Sequence, residues 1–110
     1  MNIHNELAGD VTVLRLNGRL EPASALALSQ TLDELIAKGN TKILLDMKNL
    51  TFVSSSGLGV LVMSNIKLKE KGGSLKLVFM SQNVRIPFEV TGSLPKFEVF
   101  DDYERAINSF

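Results

Sequence analysis

A chain of 110 residues with 45% apolar and 22% charged side chains has enough apolar surface to offset chain entropy in one folded unit, which excludes a disordered chain. Twelve basic and twelve acidic side chains cancel, so the basic excess of a nucleic-acid binder is absent. With no cysteine there is neither a disulfide framework nor a thiolate metal site.

Residues 1–10 carry polar side chains (Asn2, His4, Asn5, Glu6, Asp10) and lack the apolar stretch of a signal peptide. The most apolar segment, Leu58–Met63, is far too short to span a bilayer. A soluble cytoplasmic protein without membrane insertion is the expectation.

In chain order, Ile3 to Leu7 reads as a weak strand before a turn at Gly9–Asp10, and residues 11–16 (VTVLRL) read as a stronger one that Gly18 closes. Glu21–Pro22 opens a helix, because proline at the first helical position loses no hydrogen bond. Ala25, Leu28, Leu32, Leu35 and Ile36 follow at helical spacing, and Gly39 ends the run. Ile43–Leu45 is a continuous apolar run of the kind buried on both faces of a sheet. A turn at Ser54–Gly57 precedes a helix from about Leu58 to Lys71, apolar nearly all round in its first half and therefore expected to be buried there.

Leu75–Met80 is the next strand, and Ser81 caps a short helix through Val84 and Phe88. Pro87 lies inside that helix, where proline costs about 3 kcal/mol unless accommodated. Phe97–Phe100 gives a last strand. Tyr103, Ala106, Ile107 and Phe110 form the stripe of a closing helix whose positive end carries Asp101 and Asp102. This alternation predicts an α/β domain over residues 1–110, with a mixed central sheet of four to five strands and about four helices. Spacing leaves open whether the helices share one face.

Enzymatic chemistry has no good candidate. There is no phosphate-binding G-x-x-x-x-G-K-[ST] loop, and Val62 stands where a G-x-G-x-x-G fingerprint beginning at Gly57 and Gly59 needs its third glycine. The serines do not sit in G-x-S-x-G. His4, the single histidine, lies near a terminus and reads as a surface residue. Nothing in the spacing of Glu21 and Asp46 singles them out as an acid–base pair.

The serine cluster at 54–56 is different in kind. Its plain reading is a helix cap, contributing about 1 kcal/mol. The alternative is a phosphoacceptor, since a helix start offers free N–H groups and a positive dipole end. A phosphoryl group there adds a charge of about −1.5 to −2.

The segment KILLDMKNLTFVSSSGLGVLV resembles the signature of STAS domains, in particular bacterial anti-sigma factor antagonists. That signature is a strand ending in Asp, a short hydrophobic turn, and D-S-[STA]-G-L-G at a helix head. Asp46, Leu50, Phe52, Gly57, Leu58 and Gly59 match it, and Ser54 replaces its Asp. Gly18-Arg19-Leu20-Glu21 is similar to the family's G-x-L-D, with Glu21 in place of Asp. SQNVRIPFEVTGSLPKFEVFDDYERAI is similar to its closing segment, departing slightly at Thr91-Gly92-Ser93.

The resemblance implies a fold and a role. Ser55 falls on the position that family members phosphorylate, and Glu21, Ser54, Ser56, Gly57 and Leu58 fall on the partner-binding surface. The implied partners are an anti-sigma factor serine kinase of the histidine-kinase ATPase type, which the antagonist sequesters to free a sigma factor, and a PP2C-type phosphatase that reverses phosphorylation. The ATP belongs to the kinase, so neither cofactor nor metal is expected here. Leu58, Leu61 and Val62 also suit the core, and Glu21 also suits a helix N-terminus. A rival from another class is a non-phosphorylated STAS scaffold subunit of a lipid-transport or stress-sensing complex. A hydrolase using Ser55 lacks a general base.

Overall fold

The computed structural model describes residues 1–110. Its elements are β1 (Asn2–Ala8), β2 (Val11–Leu20), α1 (Pro22–Ala37), β3 (Lys42–Val53), α2 (Ser55–Glu70), β4 (Ser74–Val78), α3 (Gln82–Val90), a 3-10 turn (Leu94–Lys96), β5 (Glu98–Phe100) and α4 (Tyr103–Asn108). The five strands form one mixed sheet in the order β1-β2-β3-β4-β5. β1 pairs antiparallel with β2 through a two-residue turn, Ala8 facing Val11, and Gly9 takes the positive φ of +64° that such turns need. All other pairs are parallel, each crossover carrying a helix. No helix is long and apolar enough to cross a membrane.

The sheet is buried on both faces, unequally. Alternate residues of the central strands (Leu14, Leu16, Ile43, Leu45, Met47) pack with α1, α2 and α3 into a core of 21 buried residues. The residues between them (Val11, Val13, Leu44, Val78) pack with Ala106 of α4 on the other face, where the buried cluster has five members. The helices therefore occupy both faces, which spacing alone left open.

Several bounds differ from the sequence expectation, each for a local reason. Gly18 does not end β2: the strand bends through it at φ +107°, its register with β3 shifts on either side, and pairing resumes to Leu20. β3 continues well past Leu45 because its second half, 49–53, pairs with that bent end of β2. β4 stops at Val78 because Phe79 adopts φ +62°, which no side chain favours in a strand. α3 runs unbroken through Pro87, anchored by the fully buried Phe88 edge-on to Phe97 at 5.5 Å. α4 ends at Asn108, and Phe110 folds back against the smaller cluster.

Polar side chains fasten the ends. Lys42 Nζ lies 2.7 Å from Asp10 Oδ2 and ties β3 to the first turn. Its hydrogen bond and positive charge hold the Asp10 carboxyl below the usual aspartate range. On the second face, the buried Lys76 donates from Nζ to the Ser109 carbonyl at 2.7 Å and to Ser109 Oγ at 2.9 Å, a cation at the negative end of α4.

Candidate functional site

The predicted site residues gather where β2 and β3 end and α1 and α2 begin. The Ser54 N–H donates to the Leu20 carbonyl at 2.8 Å, so the start of α2 is hydrogen-bonded to the last residue of β2. Ser54 is the cap of α2: its Oγ accepts from the Gly57 N–H at 3.1 Å. The helix thus begins at Ser55, three residues before the position that apolar periodicity indicates. The first turn is polar because it faces solvent, and the periodic signal starts only where the helix reaches the core.

The three hydroxyls are not equivalent. Ser54 Oγ caps the helix and lies 3.0 Å from Ser56 Oγ, so these two occupy each other. Ser55 is exposed, and its hydroxyl makes no hydrogen bond within the chain. The N–H groups of Ser55 and Ser56 also have no acceptor in the protein. A free hydroxyl therefore stands at the first helical position beside two free donors.

Gly57 and Leu58 are buried, with Leu58 5% exposed in the main core. Their side-chain positions are buried, so what these two residues give the turn is its shape. A Cβ on Gly57 would lie 2.6 Å from Leu20 Cγ and 3.2 Å from the Leu20 carbonyl oxygen. Glycine is what lets α2 approach β2 this closely. Leu61 is also fully buried, whereas Val62 is half-buried and Met63 exposed, so the first half of α2 is not buried all round.

Glu21 is exposed and caps α1: its N–H donates to Ser24 Oγ at 2.8 Å, and that hydroxyl donates to the Arg19 carbonyl at 2.8 Å. Its carboxylate receives Arg19 Nε at 2.8 Å. The Arg19 guanidinium lies 4.3 Å over the ring of Phe52, its neighbour across the β2–β3 pair. Arg19 and Phe52 thus belong to the rim of the site. Both lie in the motif segments, but nothing in their spacing shows that the two strands place them side by side.

Asp46 and Glu21 are not an acid–base pair, because each holds its own arginine. Asp46, buried, accepts from Arg15 Nε at 3.2 Å and from the Lys48 N–H at 3.0 Å, fixing the path of β3. His4 is exposed on β1, its nearest carboxylate Glu6 at 3.9 Å. No hydrogen bond links it to a serine.

Comparison with known proteins accords with this geometry. The sequence model of the STAS domain family matches residues 2–106. The anti-sigma-B factor antagonist of Bacillus subtilis is 31% identical over 94 residues, 84% of this chain and 85% of the relative. The anti-sigma factor antagonist SpoIIAA in its unphosphorylated form superposes with a TM-score of 0.86 at 25% identity, covering 98% of this chain and 95% of that one. SpoIIAA of Bacillus in the phosphorylated form superposes at 0.79 with 24% identity, covering 98% of each chain. A five-stranded mixed sheet with the glycine-pinned serine turn at the head of its second helix, matched along nearly its whole length, places this chain in the STAS domain family.

Proposed function

We propose that this chain, acting as one unit over residues 1–110, is an anti-sigma factor antagonist whose binding is gated by phosphorylation of Ser55. Its partner is an anti-sigma factor serine kinase of the histidine-kinase ATPase type, and a PP2C-type phosphatase resets it. One observation carries the reading: of three adjacent serines, only Ser55 is exposed with an uncommitted hydroxyl. The names of the relatives, and a solved phosphorylated form of SpoIIAA, support it.

The switch follows from charge. A phosphoryl group on Ser55 sits at the positive end of α2 beside free N–H groups, so the fold tolerates it. The same group brings a charge of about −1.5 to −2 to a rim that already carries Glu21. In a docked interface that charge meets like charge or loses its water, at a cost of several kcal/mol. Each ~1.4 kcal/mol is a factor of about ten in affinity, so one phosphate suffices to release the partner.

Ser54 stands where the family carries Asp, and it makes the cap hydrogen bond itself. The cap is therefore made without the carboxylate, and the preference for the switch over the scaffold reading rests on the free Ser55 hydroxyl. The test is a pull-down from the native organism with wild-type and Ser55→Glu baits, read by mass spectrometry. The expected result is a small histidine-kinase-like ATPase captured by wild type and lost by Ser55→Glu. Retention of one partner by both baits would contradict the gate, and a transport ATPase as that partner would identify a scaffold.

A further inference from the structure

α2 carries a second feature at its far end. A cleft of about 250 Å³ opens between α2 and the 94–96 turn, lined by Val62, Asn65, Ile66, Lys69 and Lys96. Val62 and Ile66 give it an apolar wall, with Val62 half-buried and Ile66 exposed. Asn65 is 4% exposed, and its Nδ2 donates to the Lys96 carbonyl at 2.9 Å, which holds the turn against the helix. Its Oδ1 receives no hydrogen bond.

The rim is positively charged and uncompensated. Neither Lys69 nor Lys96 has a carboxylate partner, a state they share with Lys38, Lys48 and Lys71; what sets the cleft apart is that it brings two such lysines to one apolar wall. No acidic side chain lines the cleft.

The cleft also lies on the line of the serine turn. At about 100° per residue, Ser55, Val62, Ile66 and Lys69 fall within roughly 60° of arc on one face of α2. Ser55 and Asn65 are ten residues apart, roughly 15 Å along the axis. An interface of ordinary size, about 800 Å² per partner and so roughly 30 Å across, that covers one end reaches the other.

We infer that this cleft is a docking site for a short apolar and acidic segment of the protein partner. An aliphatic side chain enters between Val62 and Ile66, and flanking carboxylates meet Lys69 and Lys96. The partner's identity rests on the reading of Ser55 as the partner-facing gate; the chemistry of the cleft does not. Net neutrality of the whole chain conceals this local preference.

The test is an NMR titration of the full chain with two blocked peptides, acetyl-ELEL-amide and acetyl-KLKL-amide. The acidic peptide is expected to shift the Asn65 side-chain amide and the backbone amides of 65, 66, 69 and 96, and the basic peptide to leave them in place. Reversing both rim charges (Lys69→Glu with Lys96→Glu) should weaken the acidic peptide about tenfold, two rim pairs at roughly fivefold or less each. These lysines are exposed, so a melting curve matching wild type accompanies that result. No response at these positions, an equal response to both peptides, or indifference to charge reversal would overturn the inference. Ser55→Glu should bind the acidic peptide as wild type does. If it does so yet also retains the protein partner, the gate fails and the cleft stands.

Discussion

At the scale of single residues, the site depends on one missing side chain and one hydroxyl. Gly57 permits contact between α2 and Leu20 that a methyl group would prevent, because the atoms in its way include a core side chain and a backbone carbonyl. Overpacking of this kind costs about 1–3 kcal/mol, offset in part by the better helix propensity of alanine. Gly57→Ala should therefore lower the melting temperature by roughly 5–10 °C. Ser54→Ala should cost about 1 kcal/mol through loss of the cap, and Ser54→Asp only about 0.5 kcal/mol or less. Thermal denaturation of the three variants checks all of this. A Gly57→Ala protein as stable as wild type would show that the close approach is dispensable.

The same residues show what sequence can reveal. Gly57 is prominent in the motif, yet its reason, the distance to Leu20, exists only once β2 and α2 are assembled. Ser54 and Ser56 look equivalent to Ser55 in the chain, and only their mutual hydrogen bond separates them. Arg19 and Phe52 lie 33 positions apart and meet through strand register.

At the scale of elements, the alternating pattern gave the order of strands and helices because each buries a continuous apolar face. Boundaries were less legible where the backbone departs from ideal geometry without a composition signal, as at Phe79, or with a misleading one, as at Gly18. Lys76 is another such case. In a strand read by apolar pattern it is an anomaly, and its purpose emerges only when α4 brings its C-terminal carbonyl alongside.

The two faces of the sheet also differ in strength. α4 has six residues and covers the smaller of two buried clusters, whereas α2 is embedded in the larger. Local opening follows such differences in buried apolar contact. Hydrogen exchange read by mass spectrometry should show the amides of α4 exchanging at least about tenfold faster than the central amides of α2. Equal protection would mean that the two faces open as one unit.

At the scale of the whole molecule, the proposed role is carried by surface rather than by core. That surface is a serine turn and a cleft lying along one helix, on a scaffold whose core positions both. On the proposed reading the chain acts by being bound or released, and one added phosphate is a large change on a chain with no net charge. The central claim is that Ser55, among three neighbouring serines, is where that change occurs. The most direct measurement is to incubate the chain with its captured kinase and ATP and map the product by tandem mass spectrometry. The account predicts a single phosphate on Ser55, absent from Ser55→Ala. A phosphate on Ser54 or Ser56 instead, or none at all, would contradict it.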